Sequence, residues 1–69
     1  MELTIDLNRA LNIGLKQEVI LAYIEKNPGT TQKKISQDLK ISQRTMFDMV
    51  ESLISRELVE KAGWYLYSK

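Results

Sequence analysis

Residues Thr30 to Leu53 read TTQKKISQDLKISQRTMFDMVESL, and this stretch decides the fold that the sequence predicts. In its first half, Ile35 and Leu39 are four residues apart, so their side chains share one face of a short helix. Its second half has apolar residues at helical spacing, namely Met46, Met49, Val50 and Leu53. Between the two halves, Ser42 can cap a helix, because its oxygen can accept from an N–H two or three residues later. The stretch therefore predicts two helices joined by a tight turn, the helix-turn-helix arrangement.

A longer helix is predicted before this stretch. Apolar residues recur at helical spacing on one side of it, and they are Leu15, Val19, Ile20, Tyr23 and Ile24. Polar residues take the other side, and they are Lys16, Gln17, Glu18, Glu25 and Lys26. Asn27 precedes Pro28, which disfavours helical geometry, so this helix should end near Lys26. Thr30 or Thr31 then caps the second helix, which should run to about Leu39, and the third should run from about Gln43 to Arg56.

Beyond Arg56 the pattern changes to one that is typical of strands. Residues 58–61 and 64–67 are rich in β-favouring side chains, and Ala62-Gly63 between them predicts a tight hairpin. In such a strand Trp64 and Leu66 share one face. The aromatic residues of this segment could form a base-stacking platform, but core packing is the favoured role for Trp64 and Leu66.

Residues 1–12 carry two competing patterns. Leu3, Ile5 and Leu7 alternate with polar residues, which favours a half-buried strand. Leu3, Leu7 and Leu11 are four residues apart, which favours a helix. We predict an extended arm followed by a turn or short helix around Asn8 to Asn12. Its apolar side needs a partner, either within the domain or in a second subunit.

Composition narrows the classes of function. The chain has 69 residues, of which 43% are hydrophobic, and ten basic residues against nine acidic ones give a net charge of +1. It contains neither cysteine nor histidine, so it lacks the commonest general base and the commonest metal ligands, and we predict neither enzymatic activity nor a cofactor. No apolar run approaches the roughly 18 residues that span a bilayer. We therefore predict a cytoplasmic protein with no membrane association. We also predict no small-molecule ligand, because the sequence shows no separate ligand-binding domain.

The chain resembles the winged helix-turn-helix family, in particular small bacterial and archaeal transcription regulators, over roughly residues 15 to 67. The residues that carry the resemblance are Thr30-Thr31-Gln32, Ile35-Ser36, Leu39, Ile41-Ser42, Thr45-Met46, Val50, Leu53 and Leu58-Val59. The resemblance implies an α+β, mainly α fold, and the length of 69 residues indicates a single domain over residues 1–69. In that fold an arm (1–12) precedes a three-helix core (15–56) and a C-terminal β-hairpin wing (58–67), with residues 42–55 as the recognition helix. The chain departs from the family at Lys40 and Glu57, where many members have glycine.

The resemblance also implies which residues contact DNA. The first turn of a recognition helix points toward base edges, where Gln43 could pair with adenine and Arg44 with guanine. The expected base contacts are Ser42, Gln43, Arg44, Thr45 and Phe47, the last through a thymine methyl group. The expected contacts to the DNA backbone are Thr31, Gln32, Lys33, Lys34 and Lys61.

Two functions remain open from the sequence. The favoured function is sequence-specific binding of double-stranded DNA by a transcription regulator, whose third helix enters the major groove. Such a regulator could form a homodimer through the arm or the first helix. Gln43 and Arg44 after a helix cap favour this function, although both could be ordinary solvated residues. The alternative is a winged-helix module for protein–protein contact in a replication, transcription or other assembly. A near-neutral charge, the acidic Asp48 and Glu51, and Phe47 on an exposed helix favour that alternative.

Overall fold

A computed structural model of the chain describes residues 3–69. Within this range the elements are α1 (Leu7–Ile13), α2 (Leu15–Lys26), α3 (Gln32–Leu39), α4 (Gln43–Ser55), β1 (Val59–Ala62) and β2 (Tyr65–Ser68). The predicted α+β, mainly helical architecture with a C-terminal hairpin is confirmed, but the described residues contain four helices and not three. The part of the predicted arm at residues 1–2 lies outside the described residues. None of the described helices is long and apolar enough to cross a bilayer.

The additional helix, α1, forms in the predicted N-terminal arm. Its N-cap is Asp6, whose carboxylate accepts from the Arg9 N–H at 3.1 Å. Gly14 ends α1 at φ 92°, a conformation that residues with a side chain rarely adopt, and α2 begins at the next residue. The predicted short helix around Asn8 to Asn12 is therefore confirmed, and residues 3–6 before it belong to no helix or strand. Leu7 and Leu11 nevertheless face solvent.

The central helix is α2, which packs against α1, α4 and β2. Its five consecutive residues from Ile20 to Ile24 are all buried. A helix that is covered on several sides buries more than one stripe, and here α1 covers the side that the sequence assigned to solvent. Two predictions along α2 are consequently wrong, because Glu18 is buried and Leu15 is exposed.

The helix-turn-helix has the predicted bounds and caps. Thr31 caps α3 by accepting from the Lys34 N–H at 3.2 Å, and Ser42 caps α4 by accepting from the Thr45 N–H at 3.3 Å. The Ser36 hydroxyl on α3 donates to the Ile41 carbonyl in the turn that follows. The core side chains of this unit are all fully buried, and they are Ile35, Met46, Val50 and Leu53.

Lys40 and Glu57 adopt left-handed backbone conformations, with φ 55° and φ 60°. These are the two positions at which many family members have glycine. Lys40 is the C-cap of α3, where a left-handed residue ends the helix. Lys40 lies between α3 and α4 and Glu57 lies between α4 and β1, and each holds its left-handed backbone at a cost of about 1–2 kcal/mol.

The hairpin turn lies one residue later than the sequence predicts. Ala62 pairs with Tyr65, so the turn consists of Gly63 and Trp64 and not of Ala62 and Gly63. Gly63 has φ 64°, and glycine is favoured at the first position of a two-residue turn of this kind. Trp64 therefore lies in the turn with 79% of its surface exposed, and its predicted core role is wrong. Leu66 is fully buried, as predicted.

The hairpin is attached to the loop between α2 and α3. The Leu66 N–H donates to the Thr30 carbonyl at 2.8 Å, and the Gly29 N–H donates to the Leu66 carbonyl at 2.9 Å. Thr30 immediately precedes Thr31, the N-cap of α3. These two hydrogen bonds therefore hold the hairpin beside the first turn of α3.

Candidate nucleic-acid interface

The start of α3, one side of α4 and the hairpin frame an open groove of about 570 Å³, which we call the wing groove. Six of the ten residues predicted to contact DNA line it, and they are Thr31, Gln32, Lys33, Gln43, Phe47 and Lys61. Met46 and Trp64 complete the lining. The groove thus brings residues from three separate segments to one surface.

Local geometry explains why these side chains meet. Gln43 and Phe47 are four residues apart on α4 and project from the same side of the helix. Lys61 pairs directly with Leu66 across the hairpin, so both side chains lie on the sheet face that turns toward the helices. Leu66 is buried in the core, whereas its partner Lys61 on the other strand is exposed and lines the groove.

The wing groove is locally positive although the whole chain is almost neutral. Its lining contains Lys33 and Lys61 and no acidic side chain. Phe47 is 50% exposed there and adds an apolar surface. A groove with ammonium groups, amides and an aromatic ring, and with no carboxylate among its lining residues, suits an anionic partner with flat apolar parts.

Lys34 lies outside the groove and is paired elsewhere. Its Nζ is 3.7 Å from an Asp38 carboxylate oxygen one turn along α3. The other oxygen of Asp38 accepts from the Tyr23 hydroxyl, which ties α3 to α2. Burial, and then the neighbouring Asp38 carboxylate, raise the pKa of Tyr23 above its ordinary value. The Tyr23 hydroxyl therefore stays protonated and keeps donating.

The remaining predicted base contacts also lie outside the lining of the groove. The Ser42 hydroxyl donates to the Thr45 hydroxyl at 2.9 Å, so both groups take part in the cap of α4. Arg44 is exposed and forms no ion pair with any residue between 3 and 69. At helical spacing it shares the outer side of α4 with Asp48 and Glu51, which are both exposed.

Trp64 lines the groove, although the sequence predicts that it packs in the core. The error came from setting the turn one residue too early, which assigned Trp64 to a strand. The preference of glycine for the first position of a two-residue turn would have placed Gly63 and Trp64 together in the turn.

A buried ion-pair cluster joins α1 to α2. The Glu18 carboxylate, with no exposed surface, lies 2.5 Å from Arg9 Nε and 2.9 Å from Arg9 Nη2, and it accepts from the Asp6 N–H at 2.9 Å. Arg9 also contacts Glu25 at 2.9 Å. The hydrogen bonds from Arg9 hold the pKa of Glu18 below its usual range, although burial opposes this shift.

This cluster is a structural contact and does not form a catalytic site. A buried carboxylate with a shifted pKa is a common sign of catalysis. Here, however, both Glu18 oxygens are engaged by Arg9, and the lowered pKa keeps the group ionised. Between residues 3 and 69, no group of three or more potential ligand side chains could hold a metal ion.

A comparison with known families agrees with the fold. The sequence model for winged helix-turn-helix DNA-binding domains matches residues 16–60, which span α2, α3, α4 and the start of the hairpin. No curated protein and no solved structure matches the chain significantly. The family match covers more than half of the chain and includes both helices of the helix-turn-helix. The chain therefore belongs to the winged helix-turn-helix DNA-binding family.

Proposed function

We propose that the protein is a transcription regulator that binds double-stranded DNA in a sequence-specific manner. It acts in the cytoplasm as a single domain, without a cofactor, small-molecule effector or enzymatic activity. The observation that supports this proposal best is the wing groove, in which two lysines and no acidic residue lie beside the exposed Gln43 of α4.

The proposed mechanism places α4 in the major groove of the DNA. Gln43 presents its amide to an adenine, and Phe47, about 6 Å farther along the helix axis, presents its ring to a thymine methyl group. Lys33 and Lys61 approach the phosphates on either side, and the first N–H groups of α3 near Thr31 and Gln32 donate to the DNA backbone. Ser42 and Thr45 hold the first turn of α4 in place through the cap. They contact bases only at the periphery of the surface that α4 presents to the DNA.

Arg44 is the test residue for base recognition, because it is exposed and free of an ion pair among the described residues. Arg44→Ala should weaken binding to a sequence selected from random duplexes by about 1–3 kcal/mol and relax the preference at one base pair. Lys33→Ala should weaken binding to all sequences alike. Fluorescence anisotropy on a panel of single-base variants of the selected site measures both effects.

The control for Arg44→Ala is Arg56→Ala, which removes an exposed arginine at the other end of α4. Arg56→Ala should leave the base preference unchanged. If Arg44→Ala behaved like this control, Arg44 would not read a base.

The second candidate function is a protein-interaction module, which is favoured by the acidic residues beside Arg44. Asp48 and Glu51 follow it on the exposed side of α4 and would repel phosphates there. A gel-shift titration with mixed-sequence duplex DNA at low and moderate salt separates the two functions. Absence of binding at micromolar protein in low salt would favour the protein-interaction module.

We also propose a homodimer through α1, since two weak DNA-binding modules on adjacent half-sites bind more tightly than one. Leu7 and Leu11 lie one turn apart on α1 and are 73% and 85% exposed. Sedimentation equilibrium should give twice the 8.0 kDa mass of one chain. Leu11→Lys should restore the monomer mass, whereas Tyr65→Lys, which changes an exposed residue of the hairpin, should not. A wild-type protein that stays monomeric, free and on DNA, would contradict this arrangement.

A further inference from the structure

Trp64 is an aromatic residue of the hairpin whose presence the packing of the fold does not explain. For residues 64–67 the sequence allows either core packing or a base-stacking platform. The core position belongs to Leu66, which is fully buried, whereas Trp64 lies in the turn and is largely exposed. A large apolar side chain usually stabilises a protein by being buried. The structure thus rules out core packing for Trp64 and leaves base stacking as the alternative.

The wing groove brings a second aromatic ring to the same space. Trp64 lines the groove from the hairpin, and the half-exposed Phe47 lines it from α4. Met46 adds a third apolar side chain to the lining. The groove volume of about 570 Å³ lies within the range of about 300–1,000 Å³ that is typical of pockets for small organic groups. The groove therefore has room for one base with its sugar.

The polar groups of the groove match the other parts of a nucleotide. Gln32 and Gln43 each present an amide that can both donate and accept, as the edge of an unpaired base does. Lys33 and Lys61 supply two ammonium groups, and the lining contains no carboxylate that would repel a phosphate. A positively charged groove with aromatic side chains is the combination by which many proteins bind single strands.

Aromatic side chains in a groove suit an unpaired base better than a base pair. In a duplex the bases are stacked on one another, so a protein contacts their edges, the sugars and the phosphates. In a single strand a base can leave its neighbours and offer its whole face to an aromatic ring. The chemistry of the groove therefore favours a strand with unpaired bases as its occupant.

We propose that the wing groove binds single-stranded DNA, with an unpaired base stacked on Trp64 and Phe47 and the neighbouring phosphates held by the two groove lysines. This activity is additional to the proposed reading of duplex DNA and does not depend on it. Its affinity has two separable parts, since stacking requires a base and is insensitive to salt, whereas the lysine contacts require only phosphates and weaken with salt.

The first experiment compares two oligomers of equal length by fluorescence anisotropy at low salt. One is a short oligothymidylate, and the other is its abasic counterpart, which has the same sugars and phosphates but no bases. The oligothymidylate should bind at micromolar protein, and the abasic oligomer should bind about tenfold or more weakly, because it cannot stack. Equal affinities would overturn the inference, since they would show that the protein holds only the backbone.

Substitutions in the groove then test where the base stacks. Trp64→Ala should lower the affinity for oligothymidylate about tenfold at every salt concentration, and Trp64→Phe should recover part of that loss. Lys61→Ala should instead reduce the magnitude of the slope of log affinity against log salt by about 0.7, the value for one phosphate contact on a single strand. A Trp64→Ala variant with wild-type affinity for oligothymidylate would overturn the inference.

The matched control is Tyr65→Ala. Tyr65 is the neighbouring aromatic residue and is exposed, but it does not line the wing groove. Its removal should leave the affinity for oligothymidylate close to that of the wild type. Circular dichroism of each variant verifies that the domain still folds. A loss for Tyr65→Ala as large as that for Trp64→Ala would contradict stacking inside the groove.

The second experiment uses Trp64 as its own reporter, since no other tryptophan contributes to the fluorescence. A base that stacks on an indole quenches its emission, so oligothymidylate should reduce the emission and the abasic oligomer should change it little. The quenching should saturate at the same concentration of oligothymidylate as the anisotropy signal. Saturated binding with unchanged emission would show that no base stacks on Trp64.

The single-strand inference and the proposed function fail in different ways. A protein that binds a selected duplex but no oligothymidylate at micromolar concentration would overturn the inference and leave the proposed function intact. Binding of oligothymidylate without binding of any duplex would support the inference and overturn the proposed function. A protein that binds neither would overturn both.

Discussion

Glu18→Ala should lower the free energy of unfolding by about 2–4 kcal/mol at neutral pH. Removing one partner of a buried ion pair typically costs about 3–5 kcal/mol, because the other charge stays without compensation. Arg9 is 27% exposed on its side chain and retains Glu25, so part of that cost is relieved by solvent and by the second carboxylate. The Asp6 N–H also loses its acceptor, which loosens the start of α1.

Urea denaturation followed by far-ultraviolet circular dichroism measures this change. The control is Glu25→Ala, which removes the other carboxylate that contacts Arg9. The Glu25 side chain is 42% exposed, so its removal should cost less than about 1 kcal/mol. A Glu18→Ala variant as stable as the Glu25→Ala variant would show that the buried carboxylate does not anchor α1.

The direction of the Glu18 pKa shift extends this prediction to acid. The folded-state pKa of Glu18 is lowered, chiefly by hydrogen bonds from Arg9, so the folded state favours the ionised form relative to the unfolded chain. The stabilisation is therefore complete above the unfolded pKa and is lost as pH falls through the folded pKa. Glu18→Gln should be less stable than the wild type at neutral pH, and the difference between them should shrink in acid.

Reversing both groove lysines, as Lys33→Glu/Lys61→Glu, should reduce affinity for duplex DNA by about 100-fold at low salt. Each substitution removes a phosphate contact worth on the order of 1 kcal/mol and adds a carboxylate that repels the same phosphates. The loss should be similar for every DNA sequence, because phosphate contacts carry no base information. It should shrink as salt screens the charges.

The matched control is Lys16→Glu/Arg56→Glu, which changes the net charge of the chain by the same amount outside the wing groove. If binding depends on the position of the charge, this control should lose far less affinity than the groove variant. Equal losses in the two double variants would mean that total charge, and not the groove, governs binding.

The sequence predicts correctly those parts of the fold in which the local conformational preferences of the residues and the burial of their side chains indicate the same structure. Between Thr31 and Ser55, two side-chain caps and apolar residues at helical spacing fix the helices, and these signals lie within one or two turns of the residues that they position. Lys40 adopts a left-handed conformation although it is not the glycine that many family members have there, so the turn depends on this whole pattern and not on one residue.

The predictions that failed depend on contacts between distant residues. Glu18 looked like a surface residue because nothing in its neighbourhood indicated that Arg9, nine positions earlier, would cover it with α1. Trp64 was placed in the core because a turn shifted by one residue changes which side chains belong to the strand. The sequence therefore predicts individual groove residues but not the groove itself. Lys61 lies next to α3 only because Thr30 pairs with Leu66, which is far from it in the sequence.

The most direct test of the wing groove as the DNA-binding surface is a titration of the ¹⁵N-labelled protein with a selected duplex, followed by two-dimensional NMR. We expect the largest shift changes at the amides of Gln32, Lys33, Gln43, Phe47, Lys61 and Trp64, and small changes along the exposed side of α1. Shift changes centred on α1, or none at DNA concentrations well above those of the protein, would contradict binding through the wing groove.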